Sequence, residues 1–402
     1  MLIFATLVGR RKLNILHKFY KISCGVGILA RLDMERARMP IPQDPFHKTH
    51  STRPIPQDSF HKTHFTRLIP QDSFHKNTLY HLFMKGLWLE NQQLELRTDI
   101  PVPEPGSEEA LIRVCKAGIC NTDLELTRGY YPYSGILGHE FVGVVERGPD
   151  NLINKRVVGE INAACGKCRY CLKGIPTHCE NRTVLGIVNR NGAFADYLSL
   201  PVANLHLVPD NVPTDVATFA EPVAAALEIQ QQISISSDDK VLVVGDGKLG
   251  QLVAQTLALT GCDLLAIGRH ADKLANLEAK GIKVGYVDDV QTRSFDIAVE
   301  CTGNSAGFDI ARRALRPRGI LVLKSTYAGN LSLDASALVV DEITLIGSRC
   351  GPFAPALELL ATGKIDVKPL IHSIFPLDEG ITAFEQAKTK GVMKVLLEIN
   401  KT

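Results

Sequence analysis

The stretch that decides the fold is Lys240-Val-Leu-Val-Val-Gly245-Asp-Gly247-Lys248-Leu249-Gly250-Gln-Leu-Val-Ala-Gln255. An apolar, β-branched run leads into three glycines spaced GxGxxG, and a helix-forming run follows. Alone, that string is a weak signal. With a strand before it and a helix after it, the string becomes the fingerprint of a dinucleotide-binding turn. Gly245 makes the turn, Gly247 lets the backbone approach a pyrophosphate, and Gly250 lets helix and strand pack closely. Lys248 and Leu249 open the helix, whose free N–H groups face the diphosphate. These five positions are the expected cofactor contacts.

Outward from the turn, the next strand reads Asp263-Leu-Leu-Ala-Ile-Gly268-Arg269-His270. Folds that select NAD place Asp or Glu at the end of this strand, about 20 residues past the glycines, to hold the ribose hydroxyls. Gly268 stands at that place here, with Arg269 beside it and Lys273 a turn later. A guanidinium with no carboxylate to oppose it suits a 2′-phosphate. The expectation is therefore NADP, with NAD as the alternative. Further strands at residues 295–303 and 319–324, with helices between, complete a βαβ alternation and hence a parallel sheet. Cys301 and Thr302, which end a central strand, are expected to line the nicotinamide pocket.

Upstream, Cys165, Cys168, Cys171 and Cys179 fall within fifteen residues. Two-residue gaps aim successive thiolates at one point, and the longer last gap lets the chain loop back. That pattern builds a closed tetrahedral zinc site, which holds a loop together and does no chemistry. Two disulfides are the competing reading, and they require an oxidising compartment. Cys115, Cys262, Cys301 and Cys350 sit in or beside apolar runs and read as packing residues.

Three further pieces surround this lobe: Cys120-Asn-Thr122-Asp123, then Gly138-His139-Glu140, then far downstream Ala220-Glu221-Pro222. A thiolate, an imidazole and a carboxylate from separate parts of the chain form the open three-ligand set used by catalytic zinc, leaving a position for water or a substrate oxygen. Zinc so held is a Lewis acid that acidifies an alcohol. Singly, each piece is weak: a lone Cys is usually core, a lone His a satisfied polar group, and Glu-Pro a helix start.

Taken together with the four-cysteine loop, residues 84–402 resemble the zinc-containing alcohol dehydrogenase family of the medium-chain dehydrogenase/reductase superfamily. The resemblance implies that Cys120 and His139 ligate the catalytic zinc directly. Glu140 becomes a neighbouring carboxylate that approaches the metal when water exchanges. Glu221 falls where many alcohol dehydrogenases carry a third ligand Cys and the polyol and sugar dehydrogenases carry Glu. Thr122 becomes the hydroxyl that takes the substrate proton, and Asp123 the carboxylate that orients a ligating His. One departure stands out: Glu125 replaces the His that relays that proton to solvent in many relatives, and a carboxylate can serve the same purpose.

The resemblance also implies a fold class and a layout. The class is α/β, with a Rossmann cofactor domain inserted in an irregular β-barrel catalytic domain. Residues 84–222 would form the first part of the catalytic, zinc-binding domain, 223–347 the Rossmann domain and 348–402 the return segment. One catalytic and one structural zinc per chain, a small-molecule alcohol or carbonyl substrate, and a homodimer or homotetramer complete the expectation. A non-catalytic NADPH-binding scaffold that kept the fold is the competing function. Intact Cys120, Thr122, His139 and Glu221 argue against it.

Bulk properties exclude other classes. At 402 residues, 45% hydrophobic and 22% charged, the chain has the composition of a globular protein with more than one domain. Residues 1–83 carry 13 Lys/Arg against 5 Asp/Glu, whereas residues 84–402 carry 32 against 38. The acidic body carries no nucleic-acid footprint, and no apolar run reaches the roughly 18 residues of a membrane span. A cytoplasmic location is expected.

The first 83 residues read differently. A 14-residue repeat starts at Ile41, Ile55 and Ile69, each copy reading Ile-Pro-Gln-Asp-Pro/Ser-Phe-His-Lys. Its apolar content is too low to order it, so disorder is expected. His47, His50, His61, His64 and His75 read as solvated side chains before metal ligands. Residues 1–32 lack Asp and Glu, as transit segments do, yet are poor in Ser. The favoured expectation is that the native enzyme starts at Met84 and that the repeat is repeated DNA read through into protein.

Overall fold

Six strands hydrogen-bond in parallel in the order Lys283–Gly285, Asp263–Ile267, Lys240–Val244, Phe295–Glu300, Leu315–Leu323, Thr344–Gly347. In chain order this is 3-2-1-4-5-6, the doubly wound arrangement whose switch point lies between the first and fourth strands. The structure, a computed structural model, describes residues 82–327 and 330–401. The histidine-bearing repeat and the basic stretch 1–32 lie outside the described residues. The described residues belong to one compact unit, Asp72–Thr402.

Local chemistry explains the alternation. Val241, Leu242, Val243 and Val244 are all essentially buried, as in strands covered on both faces. The helix Lys248–Ala258 follows at once and packs Leu252, Val253 and Leu257 into the same core as Val223, Ala224 and Ile229 of the helix Ala220–Gln232. Asn304 caps the helix Ser305–Ala314 by accepting a 3.0 Å bond from the Gly307 N–H, a contribution of about 1 kcal/mol. The fifth strand starts at Leu315, four residues before the apolar run that announces it in the sequence.

The rest of the unit is β-rich. A seven-stranded sheet runs from Leu205–Leu207 through Arg156–Gly159, Glu140–Arg147, Glu109–Gly118 and Lys394–Glu398 to Ile371–Pro376, with Tyr197–Pro201 also on Glu109–Gly118. A three-stranded sheet (Gln93–Pro101, Phe83–Glu90, Gly135–Ile136) and a two-stranded ribbon accompany it. The pairing follows an open path, so this irregular half is not a closed ring of strands. Phe194 and Phe384 meet edge-to-face at 5.8 Å in its core. Register does the positioning: Gly118 lies opposite Glu140 on one side and Leu396 on the other. Cys120, Glu140 and Lys394 are thereby gathered at one end of the sheet.

Candidate active site and metal centres

Cys120 caps the short helix Asn121–Leu126 in extended conformation, and its N–H donates to Asp123 Oδ2 at 2.8 Å. The other oxygen of Asp123, fully buried, accepts from the Gly138 N–H and lies 3.3 Å from His139 Nδ1. That approach is at ion-pair distance but does not meet hydrogen-bond geometry, and His139 Nδ1 counts among the buried polar atoms without a hydrogen-bond partner. Asp123 thus ties the Cys120 turn to the Gly138–His139 turn. Donor atoms of Cys120, His139 and Glu140 all lie within 4.8 Å of one another. A sulfur, a nitrogen and an oxygen so close together suit a zinc ion with an open position. Burial works to lower the His139 pKa, while Asp123 and Cys120 reverse this and hold it well above its ordinary value. The anionic cluster demands a cation, and a metal ion can take the place of that proton.

Glu140 is held by Lys394, whose Nζ donates to Oε1 at 2.7 Å and also reaches Ile119 O at 3.4 Å. Glu221, in the first turn of Ala220–Gln232, is outside the group of mutually close donors. Desolvation raises its pKa, His139 and the ammonium groups of Lys394 and Lys324 lower it, and Glu140 raises it. The carboxylate therefore borders the cluster electrostatically. Thr122 Oγ1 is 3.9 Å from Cys120 Sγ, on the same helical turn. Glu125 is already engaged, its Oε1 accepting from Arg128 Nη1 at 2.6 Å.

The four lobe cysteines also converge, with all donor atoms within 4.8 Å and Cys168 Sγ 3.5 Å from Cys171 Sγ. A tetrahedral zinc with bonds of about 2.3 Å spaces its sulfurs by about 3.8 Å, which this cluster matches. The N–H groups of Lys167 and Cys168 lower Cys165 to about 6, whereas desolvation and the neighbouring thiols raise Cys171 to about 12. Four thiolates repel one another unless a cation neutralises them. All nine cysteines among the described residues are unbridged.

At the glycine turn, a side chain at Gly250 would run into the Gly245 carbonyl, so close helix–strand packing requires glycine there. Nothing stands within 4 Å of where a Gly247 side chain would begin, which leaves room for a ligand. Lys248 behaves differently from the simple diphosphate contact expected of it. Burial and Lys394 lower its pKa, while Cys120, Glu140 and Asp123 raise it, so its amine lies within electrostatic reach of the Cys120 cluster. Leu249 packs against the sheet core. Glu300 receives the Thr302 N–H and hydroxyl, the Gly303 N–H and, at 2.7 Å, the Tyr327 hydroxyl. Thr302 is thus committed to fixing its own loop.

Sequence reasoning missed several charged residues. Lys324 directly follows the apolar end of the strand Leu315–Leu323, and Lys394 opens the strand Lys394–Glu398. Lys324 Nζ donates to Ser348 Oγ at 3.1 Å and to Arg349 O at 2.8 Å. Asp246 stood in the glycine motif as a spacer, yet its carboxylate binds the end of the neighbouring strand. For the two lysines a charge abutting an apolar run was the available signal; for Asp246 it was an acidic residue between the first two glycines of the turn.

The fold joins a doubly wound parallel sheet to a β-rich half, and two donor clusters suited to zinc lie in that half. Residues 106–210 match the alcohol dehydrogenase GroES-like domain. A sorbitol dehydrogenase from Halalkalibacterium halodurans is 29% identical over 321 residues, covering 74% of this chain and 93% of that protein. An L-threonine 3-dehydrogenase from Xanthomonas euvesicatoria pv. vesicatoria is 29% identical over 343 residues, covering 79% and 97%. The crystal structure of a zinc-binding dehydrogenase from Sinorhizobium meliloti 1021 bound to NADP is 26% identical, with TM-score 0.72, covering 79% of this chain and 99% of that one. The chain is thus similar to zinc-binding and alcohol dehydrogenases of the medium-chain dehydrogenase/reductase superfamily, the family model matching its residues 106–210.

Proposed function

We propose that this protein is a zinc-dependent oxidoreductase that moves a hydride between the hydroxyl carbon of an alcohol, polyol or sugar and a nicotinamide cofactor, with NADP favoured. The observation that carries the proposal is the convergence of Cys120, His139 and Glu140 donors within 4.8 Å, on a chain that also folds a doubly wound dinucleotide sheet. The named relatives are dehydrogenases of sorbitol and of threonine, both of which carry secondary hydroxyl groups, and this supports the substrate class.

Cys120 and His139 hold the catalytic zinc, with Glu140 close by and Glu221 bordering it. Zinc supplies Lewis acidity and the nicotinamide supplies the hydride acceptor. Asp123 aims His139 through Nδ1, leaving Nε2 for the metal. Thr122 would receive the substrate proton at Oγ1, and the Glu125 carboxylate three residues on would relay it outward. Lys394 neutralises Glu140, so the cluster keeps a charge suited to one divalent ion. Gly245, Gly247, Lys248, Leu249 and Gly250 cradle the diphosphate side of the cofactor, and Thr302 sits beside the nicotinamide. Arg269 and Lys273 take the 2′-phosphate. No carboxylate pairs with either side chain among the described residues, which supports that assignment.

The four-cysteine lobe holds a second, structural zinc. Residues 84–222 and 348–402 constitute the catalytic domain and 223–347 the cofactor domain. A second copy of the chain packs on the edge strand Thr344–Gly347. Leu345 there is 42% exposed, and Val339 and Val340 on the preceding helix are 75% and 80% exposed. Among the described residues no helix is long and apolar enough to cross a membrane, in keeping with work in the cytoplasm.

Metal analysis together with a substrate panel tests the proposal. Two zinc ions per chain are expected, with reduction of NADP by at least one polyol, aldose or aliphatic alcohol, followed by the absorbance of reduced nicotinamide. Zinc confined to the cysteine lobe, with no turnover across the panel, overturns it and favours the scaffold reading.

A further inference from the structure

Asp246 is the residue between the first two glycines of the turn, a position that usually needs no particular side chain. Here it is 8% exposed and makes four contacts to the neighbouring loop. Oδ2 accepts from the Arg269 N–H at 2.7 Å and the His270 N–H at 2.8 Å, and His270 Nδ1 lies 3.0 Å from Oδ2 and 3.1 Å from Oδ1. A carboxylate has no proton to give, so Nδ1 is the donor in this pair. Burial opposes the Asp246 charge, but the His270 and Arg269 N–H groups and the imidazole more than offset it, and the carboxyl sits below its ordinary range.

The same carboxylate explains Gly268. A side chain at 268 would collide with the Asp246 carboxylate, so glycine is the residue this loop accepts. The usual site of a ribose-binding Asp or Glu is therefore closed by Asp246 itself. Its lone pairs point at loop N–H groups and at the imidazole, and its charge is largely consumed by them. What remains facing outward is the exposed Arg269, whose backbone is pinned at one end by the 2.7 Å bond.

We infer that Asp246 is a specificity-positioning residue: it anchors the Gly268–His270 turn so that Arg269 meets the 2′-phosphate of the adenosine ribose. This rests on the NADP reading proposed above. Asp246 acts through Arg269 and does not itself touch the phosphate. Its contribution should therefore appear in the discrimination between the two cofactors and vanish when Arg269 is removed.

A double-mutant cycle on the full chain tests this, with NADPH and NADH titrated separately and followed by nicotinamide fluorescence. The Asp246→Ala variant removes the oxygen that accepts the Arg269 and His270 N–H groups. It should lower the NADPH-over-NADH preference by roughly tenfold to a hundredfold, with NADH affinity nearly unchanged. In an Arg269→Ala background the same change should add nothing. Equal loss of both cofactors overturns the inference, because Asp246 is then merely structural. A gain in NADPH affinity also overturns it, because Asp246 is then a repelling, NAD-type carboxylate. If Asp246→Ala does not fold, Asp246→Ser, whose hydroxyl is too short to hold both loop N–H groups, takes its place in the same cycle, with the same supporting and overturning results. Wild-type protein that binds NADH as tightly as NADPH defeats the NADP reading itself, a result separate from any of these.

Discussion

Lys394 Nζ lies 2.7 Å from Glu140 Oε1, with side-chain exposures of 4% and 2%, although the residues are 254 positions apart in the chain. The pair welds the last strand of the protein to the residue beside the proposed catalytic zinc. The Phe219 ring, centred 5.9 Å from the ammonium, adds a cation–π contact. Breaking such a buried pair on one side leaves an uncompensated charge. Lys394→Met should therefore cost about 3–5 kcal/mol of stability, and the double variant with Glu140→Gln should regain most of it. Urea unfolding measures both; a loss below about 1 kcal/mol for the single variant means the ion pair is not what holds this junction.

Asp123 bridges the Cys120 and His139 turns, so its removal should disorder the donor set without touching the lobe. Asp123→Ala should weaken zinc at the Cys120–His139 site by about tenfold to a hundredfold while lobe zinc stays bound. Competition with a chelator, read as zinc released in two steps, separates the two sites. Equal weakening of both steps contradicts the assignment.

Thr122 differs in kind because it is proposed to take a proton, not to bind metal. Thr122→Val should keep full zinc content and lower the rate of hydride transfer by about a hundredfold to ten-thousandfold. Single-turnover rates of nicotinamide reduction check this, and an unchanged rate removes Thr122 from the proton path.

In the lobe, Cys168→Ser removes one of four donors from a closed site. About half of the bound zinc should be lost, and the segment around residues 165–181 should become sensitive to protease, because the metal supplies the energy that folds the loop. Intact resistance alongside lost zinc shows that the loop holds its shape by other contacts.

Lys324 gives a pH signature of defined sign. Burial is the main cause that lowers it to about 8, against an unfolded value of about 10.4. The fold therefore penalises its charged form, and the penalty is fully present below pH about 8. As pH rises from there to about 10.4 the folded protein sheds the proton first, so stability attributable to this group increases by up to about 3 kcal/mol. Lys324→Met should lack that increment. Comparing unfolding free energies of the two proteins across this window isolates it, and parallel curves rule it out.

Metal-binding and cofactor segments were largely legible because their chemistry is local. The sequence separation of Cys165, Cys168, Cys171 and Cys179 already restricts how far apart the sulfurs can lie. The run from Lys240 to Gln255 carries strand, turn and helix without help from elsewhere. The Cys120, His139 and Glu140 group was legible through its short motifs, but its closeness depends on strand register. Glu221 shows the limit: it reads as an equal partner in the sequence, and the structure leaves its carboxylate outside the group of mutually close donors.

Periodicity and spacing by themselves determined the doubly wound sheet, the cysteine lobe and the sulfur, nitrogen and oxygen donors. Such patterns act over a few residues, where the chain's own geometry sets distance. Only the tertiary structure decided that Lys394 pairs with Glu140 and that Asp246 occupies the room a residue-268 side chain would need. Burying a charge is tolerable only where a partner meets it. Which partner arrives is set by the pairing of strands distant in sequence.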